Sequence, residues 1–322
     1  MKTTVCAIAI LLACLSGSAR AAPPAAAGDP TGCGSRAASP APVTKVLTIV
    51  VENTDLDAVV GAAQAPNMNA LIDACGLAAD YHGIQFPSLP NYIALTSGQV
   101  PPSIAGDGVK GRDCKPSATC QSTDPSIFTQ IDGAPALSWR TYAEDMPEAC
   151  TRTNAGAYAA RHNPAVYYPG DAPACARFDV PSGSPVAGAL ASDLTAGTLP
   201  SYSLFIPNLC NDGHDSCNGV PRLVEQDAMI GAWMPAILAS PDYRSGRLLV
   251  VITADTSQSA ANGNLLATIL VSPDIPAGTR ATARFDHYSL LRLDEELLGL
   301  PPLANAATAA DMAAAFNLPL PR

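Results

Sequence analysis

Three short, nearly unbroken apolar runs, each giving way at its carboxyl end to acids or amides, constrain this chain more than any other feature. Val46 to Val51 (VLTIVV) runs into Glu52-Asn53, Leu204 to Pro207 leads to Asn208 and Asp212, and Arg247 to Thr253 (RLLVVIT) leads to Asp255-Thr256. Branched runs of this length without alternation are the pattern of parallel strands covered on both faces. Further strands are predicted over 78–84, 137–142 and 265–271. Between them, Met68, Leu71, Ile72 and Cys75 recur at helical spacing, residues 223–238 form an amphipathic crossover, and helices are predicted over 126–132, 288–298 and 304–316. Strands alternating with helices predict an α/β fold with a doubly wound, mostly parallel sheet. Such sheets bind ligands beyond the carboxyl ends of their strands. One Glu-Asn after a strand reads equally well as the start of a solvated loop; three strands ending this way predict a site.

Phe86 to Gly98 (FPSLPNYIALTSG) sets Ser88 at the start of another helix. A serine there is an ordinary N-cap, and the same position offers free N–H groups to a phosphate. Gly106 to Gly111 fits G-x-G-x-x-G but follows Pro101-Pro102-Ser103 rather than a strand, so it reads as a loop and not a dinucleotide site. Residues 99–196 are rich in Gly, Pro and Cys and weakly periodic, and read as a disulfide-stapled loop insertion over the site.

The first residues have the form of an export signal. Lys2 precedes an apolar run, Val5 to Leu15, and Ala19-Arg20-Ala21 supplies an A-x-A cleavage site. The run is too short for a stable membrane span. Leu11-Leu12-Ala13-Cys14 also resembles a lipoprotein box with Cys14 lipidated. The expected organisation is a signal peptide over 1–21, a Pro- and Ala-rich linker over 22–42 and one domain over 43–322, secreted or periplasmic and monomeric. Eight cysteines remain after the signal, an even number suited to disulfides in an exported chain. Sequence proximity suggests Cys114–Cys120, Cys150–Cys175, Cys210–Cys217 and Cys33–Cys75. The net charge of −10 excludes nucleic acid as an electrostatic partner, because a phosphate backbone requires basic clusters that the chain lacks. It leaves open a small phosphorylated substrate or lipid head group held by a local metal.

Six segments in order carry a resemblance: Val51-Glu52-Asn53; Pro87-Ser88-Leu89-Pro90-Asn91-Tyr92 with Leu95-Thr96-Ser97-Gly98; Trp139 to Pro147; Arg161-His162-Asn163-Pro164; Asn211-Asp212-Gly213-His214-Asp215; and Asp286 to Leu291. Together they resemble the bacterial phosphoesterase family of secreted acid phosphatases and phospholipases C, within the alkaline phosphatase-like superfamily. The resemblance spans about Val43 to Phe316. It implies one divalent metal ion of undetermined identity, with Glu52, Asn53, Ser88 and Asp255 as ligands. Ser88 would be the nucleophile. Asn91 and His162 would bind phosphate oxygens, and His214 or His287 would protonate the leaving group. Two positions depart from the family pattern. Phe86 stands where a histidine is usual. Thr256 stands where a second acid is usual, and its hydroxyl is a replacement ligand for a hard cation. The fourth histidine, His82, reads as structural.

The expected reaction is therefore metal-dependent hydrolysis of a phosphomonoester through a phosphoserine, with phosphoinositides among the substrates considered. The alternatives are a phospholipase C-type phosphodiesterase, a catalytically silent binding protein, and a serine hydrolase of the α/β type, against which stands the absence of a G-x-S-x-G elbow.

Overall fold

The apolar runs do form the centre of the sheet. The computed structural model describes residues 31–35, 42–108 and 110–321. The strands are β1 (Lys45–Val51), β2 (Gly76–His82), β3 (Trp139–Ala143), β4 (Asp179–Pro181), β5 (Tyr202–Ile206), β6 (Leu248–Ala254), β7 (Leu265–Val271), β8 (Thr279–Ala281) and β9 (Phe285–Asp286). The helices are α1 (Leu56–Val59), α2 (Pro66–Ala74), α3 (Ser88–Ser97), α4 (Pro102–Ala105), α5 (Ile127–Asp132), α6 (Ala172–Phe178), α7 (Ala189–Ala196), α8 (Arg222–Ala239), α9 (Pro241–Arg244), α10 (His287–Leu298) and α11 (Met312–Ala315). Strand order is β4-β3-β5-β1-β6-β7-β2-β8, with β9 also on β2.

Every pairing is parallel except those of β7, which runs antiparallel to both β6 and β2. The link from Ala254 to Leu265 is too short for a crossover helix, and a strand returning directly must run the other way. β6 is buried along its whole length and β1 in all but its first residue. Helices cover both faces. Phe205 packs on Trp233 of α8, while Tyr202, three residues away and so on the opposite face, packs on Phe128 of α5.

Local chemistry sets the helix ends. Asp286 and Ser289 form a reciprocal capping box at the start of α10, and Gly98 ends α3 at φ 72°. The helix predicted over 304–316 is instead a 3₁₀ turn, Ala304–Thr308, followed by α11. Asp311 breaks the alanine-rich run by capping the Ala314 N–H at 2.9 Å. The tract over 99–196 carries two staples, Cys114–Cys120 and Cys150–Cys175. It also contributes β3 and β4 to the sheet, so it is structural framework as well as cover.

All four expected disulfides are formed, the set of an oxidising compartment. Cys33–Cys75 closes 42 residues and pins the segment 31–35 to the end of α2; loop-closure entropy values such a link at about 4 kcal/mol. Among the described residues no helix is long and apolar enough to cross a membrane. The expected signal, the Cys14 lipidation site and most of the linker lie outside the described residues.

Candidate active site

β1, β5 and β6 lie side by side and end at one edge. Val51 pairs with Ala254, so Glu52 and Asp255 leave the sheet as neighbours. Asn53 follows at φ 51°, a left-handed conformation that asparagine adopts more readily than most residues. There its N–H reaches Asp255 Oδ1 at 3.2 Å, and its Nδ2 reaches Glu52 Oε2 at 3.3 Å. Thr256 Oγ1 donates to Asn53 Oδ1 at 3.3 Å. Ser88 opens α3 one loop beyond β2, and its hydroxyl donates to Glu52 Oε2 at 2.9 Å. Glu52, Asn53, Ser88, Asp255 and Thr256, far apart in sequence, thus form one hydrogen-bonded set. All are buried except Asn53, which is partly exposed.

Asp212 and Tyr92, given no role from sequence, complete it. Asp212 Oδ2 lies 3.1 Å from His162 Nδ1, and its Oδ1 accepts the His214 N–H at 2.7 Å. The disulfide Cys210–Cys217 closes the loop that carries both Asp212 and His214. Tyr92 stands one helical turn after Ser88, donates to Glu52 Oε1 at 3.0 Å and stacks on the His162 ring at 5.5 Å. Helical spacing from Ser88 is the sequence signal that points to Tyr92; a strand-end acid beside two motif histidines points to Asp212. From α8, Gln226 Nε2 donates to the carbonyls of both Glu52 and Asp212, tying the ends of β1 and β5 together.

Three carboxylates in one dry site repel each other. Burial, then Asp255 and Asp212, raise the Glu52 carboxyl well above its ordinary range, against the hydrogen bonds from Ser88 and Tyr92. Burial raises Asp212 in the same direction and brings Asp255 to about 6. His162 is pushed down by burial, then by Arg161 and His214, and so stays neutral. Its Nε2 sits 3.1 Å from Glu52 Oε1, yet it lacks hydrogen-bond alignment and has no partner; Asp255 Oδ2 is likewise buried and unpartnered. A lone pair and a carboxylate oxygen left facing each other are what a cation between them would satisfy. Donor atoms of Glu52, His162 and Asp212 lie within 4.8 Å of one another. The residues therefore fit a divalent cation with mixed oxygen and nitrogen ligands.

Three of the expected site residues lie in surroundings other than those their expected roles describe. His162, expected on a phosphate oxygen, is buried among the carboxylates as a candidate ligand. Asn91 has its amide fully engaged by the turn before Ser88: Oδ1 accepts from the N–H groups of Ile84 and Gln85, and Nδ2 donates to the carbonyls of Gln85 and Pro87. It shapes that turn and has no donor left for substrate. His287 is 0% exposed, with Nε2 2.7 Å from the Asp255 carbonyl and Nδ1 3.0 Å from the Tyr81 hydroxyl. Both nitrogens are occupied and the ring is closed off from the surface, so its contact is with the Asp255 carbonyl. His287→Ala is expected to lower kcat/KM about tenfold while keeping the alkaline limb of the pH–rate profile. His287→Gln, which keeps a donor for the carbonyl, is expected to recover much of the loss. Disappearance of the alkaline limb would restore His287 as the acid.

His214 alone of the motif histidines stands at the rim, its side chain one-third exposed. Nδ1 is 2.8 Å from Asp215 Oδ1, and Nε2 is 3.1 Å from Arg161 Nη2. His82 is held between Asp80 and the Gly263 carbonyl. A cleft of about 320 Å³, lined by Glu52, Asn53, Arg222, Gln226 and Gln258, opens beside the set. A larger apolar cavity of about 740 Å³ lies between α2 and α8, lined by Leu71, Met234 and Leu238, and holds none of these groups.

Comparison with known proteins shows the family. The chain is 26% identical over 266 residues to the phosphatidylinositol-3-phosphatase of Mycobacterium tuberculosis, a match covering 82% of this chain and 80% of that protein. It is 27% identical to the phosphate-repressible acid phosphatase of Penicillium chrysogenum, covering 80% of this chain and 60% of the fungal protein. A crystal structure of an alkaline phosphatase superfamily protein from Vibrio parahaemolyticus superposes with a TM-score of 0.54 at 11% identity, over 88% of this chain and 72% of that one, and shares the fold. The Phosphoesterase family model matches residues 50–301, most of the chain and all the groups described above, and the protein belongs to that family of phosphoric ester hydrolases.

Proposed function

We propose that the protein is a metal-dependent phosphomonoesterase of acid phosphatase type, acting from an exported location through a phosphoserine on Ser88. The observation that carries this reading is the Ser88 hydroxyl directed at Glu52 Oε2, 2.9 Å away, inside a buried set of three mutually repelling carboxylates. A divalent ion held by Glu52, Asp212, Asp255 and His162, with Asn53, Ser88 and Thr256 beside it, supplies charge neutralisation and a lowered pKa for the serine hydroxyl when bound. The Ser88 proton has its acceptor in place on Glu52 Oε2. Ser88 Oγ attacks phosphorus as the ester P–O bond breaks. The leaving alkoxide takes a proton at the rim, where His214 stands. Water then cleaves the phosphoserine, releasing inorganic phosphate and returning the hydroxyl.

The match to a phosphatidylinositol-3-phosphatase and to acid phosphatases supports a monoester substrate, and phosphoinositide head groups belong in the test. The expected result is release of phosphate from an aryl phosphate, or a 3-phosphoinositide, faster than cleavage of a bis-aryl diester, with loss of activity under chelation. Faster diester cleavage would replace this reading with a phosphodiesterase. Turnover insensitive to chelation would remove the metal.

A further inference from the structure

Helices offer anions the unbonded N–H groups of their first turn. In α3 that supply is thin. Pro90, third in the helix, has no N–H, so Leu89, next to Ser88, carries the N–H best placed for a group arriving at the serine hydroxyl. That donor is taken. Asp113 Oδ1 accepts it at 2.9 Å. The other oxygen of the same carboxylate, Oδ2, lies 3.5 Å from Nε of Arg161, whose Nη2 reaches His214 at 3.1 Å. One side-chain anion therefore sits on a backbone donor beside the nucleophile and on the guanidinium at the rim.

The loop carrying Asp113 is built to bring it there. The Gly111 N–H donates to the Phe86 carbonyl at 2.7 Å, two residues before Ser88, and the Arg112 N–H donates to the Ile104 carbonyl at 2.9 Å. Gly111 approaches α3 so closely that a Cβ would stand 2.3 Å from Cγ of Pro90. Cys114, next after Asp113, is locked by its disulfide to Cys120. A loop with the letters of a phosphate-binding motif thus delivers a carboxylate to the place where a phosphate belongs.

We propose that Asp113 is a built-in competitor for the phosphoryl group: it occupies the Leu89 N–H and Arg161, and substrate must displace it from both. The inference rests on Ser88 as nucleophile, since that fixes where the phosphoryl group arrives. Two anions cannot share these donors, so the apparent affinity for any phosphate is reduced by the fraction of time Asp113 holds them. Arg161, freed from Asp113, is then the cation that a bound phosphate meets.

The test is binding of inorganic phosphate by the metal-loaded protein, by calorimetry and as a competitive inhibitor of aryl phosphate hydrolysis. Asp113→Asn removes the charge and keeps an oxygen for the Leu89 N–H, so the helix start stays capped; thermal melting checks this. The Kd and Ki for phosphate and the KM for the ester are expected to fall together by about tenfold, with kcat moving less. Asp113→Glu keeps the charge and is expected not to tighten binding. An unchanged Kd in Asp113→Asn makes Asp113 a helix cap only and overturns the proposal. A weaker Kd, or a collapse of kcat at constant KM, overturns it by making Asp113 a substrate-binding or proton-transfer group. Equal tightening in Asp113→Glu overturns it as well. Calorimetry in a Ser88→Ala background keeps the two readings apart: full turnover by Ser88→Ala refutes the nucleophile, while the phosphate Kd values still report on Asp113.

Discussion

Ser88→Ala is expected to abolish phosphate release, with kcat down about 10⁴-fold or more, while the protein stays folded. The loss is large because in the proposed reaction the serine contributes the bond-forming atom itself, and no neighbour can replace it. Tyr92 and Thr256, the nearest other hydroxyls of the set, are committed to Glu52 and Asn53. Folding survives because the substitution removes a single hydrogen bond, to Glu52 Oε2, which the wider network around that carboxylate can lose at a cost of about 1–3 kcal/mol. Acid quench followed by mass spectrometry of the wild-type protein should reveal a phosphate on the peptide containing Ser88, absent from Ser88→Ala. A variant that turns over at the wild-type rate, or a phosphate found on a histidine instead, would refute this assignment.

Removal of divalent ions is expected to have the second largest effect, and on stability as well as on activity. Asp255 ionises at about 6 in the folded protein, against about 3.9 in an unfolded chain. Between those values the folded state holds the proton that the unfolded state has lost. Unfolding then releases protons, and stability falls as pH rises. The stabilising contribution is whole below about pH 4 and is lost as pH climbs through about 6; for Asp255 alone it amounts to roughly 3 kcal/mol. Glu52 and Asp212 shift in the same direction and add to the trend. A bound cation reverses it by favouring the ionised carboxylates, and saturating metal stabilises by about 3–4 kcal/mol at 100 to 1,000 times its Kd. Calorimetric melting of chelated protein should therefore show Tm falling from about pH 4 to about pH 6, with metal restoring about 5 °C at neutrality. A flat Tm across that range, identical with and without metal, would leave the carboxylates without a cation to hold.

The six longer strands were legible in the sequence because buried strands have a strong, local signature, while β4, β8 and β9, of two or three residues, are too short to carry one; Glu52, Asn53, Ser88, Asp255 and Thr256 stand at element boundaries where the rule for open sheets places ligands. The antiparallel course of β7 went unpredicted, although the ten-residue link before it carries the signal. What sequence could not give was the side to which each polar group turns. His162, His214 and His287 lie in equally good motifs, but one is buried among acids, one is at the rim and one is behind Asp255. Asn91 looked like a free amide beside Ser88 and is consumed by the backbone of its own turn. These outcomes depend on which hydrogen bonds compete in three dimensions, a long-range matter that periodicity does not record. The helix predicted over 304–316 failed for a local reason, because aspartate prefers to start a helix rather than continue one.

Asp212 and His214, both groups of the proposed site, share a ring of chain welded shut between Cys210 and Cys217. While those thiols are reduced, this stretch has nothing covalent to hold the two side chains in register with the sheet. The proposed activity is therefore expected to depend on oxidation: a reduced chain would hold these two groups by hydrogen bonds alone, and would gain the covalent tie on reaching surroundings that can form the bond.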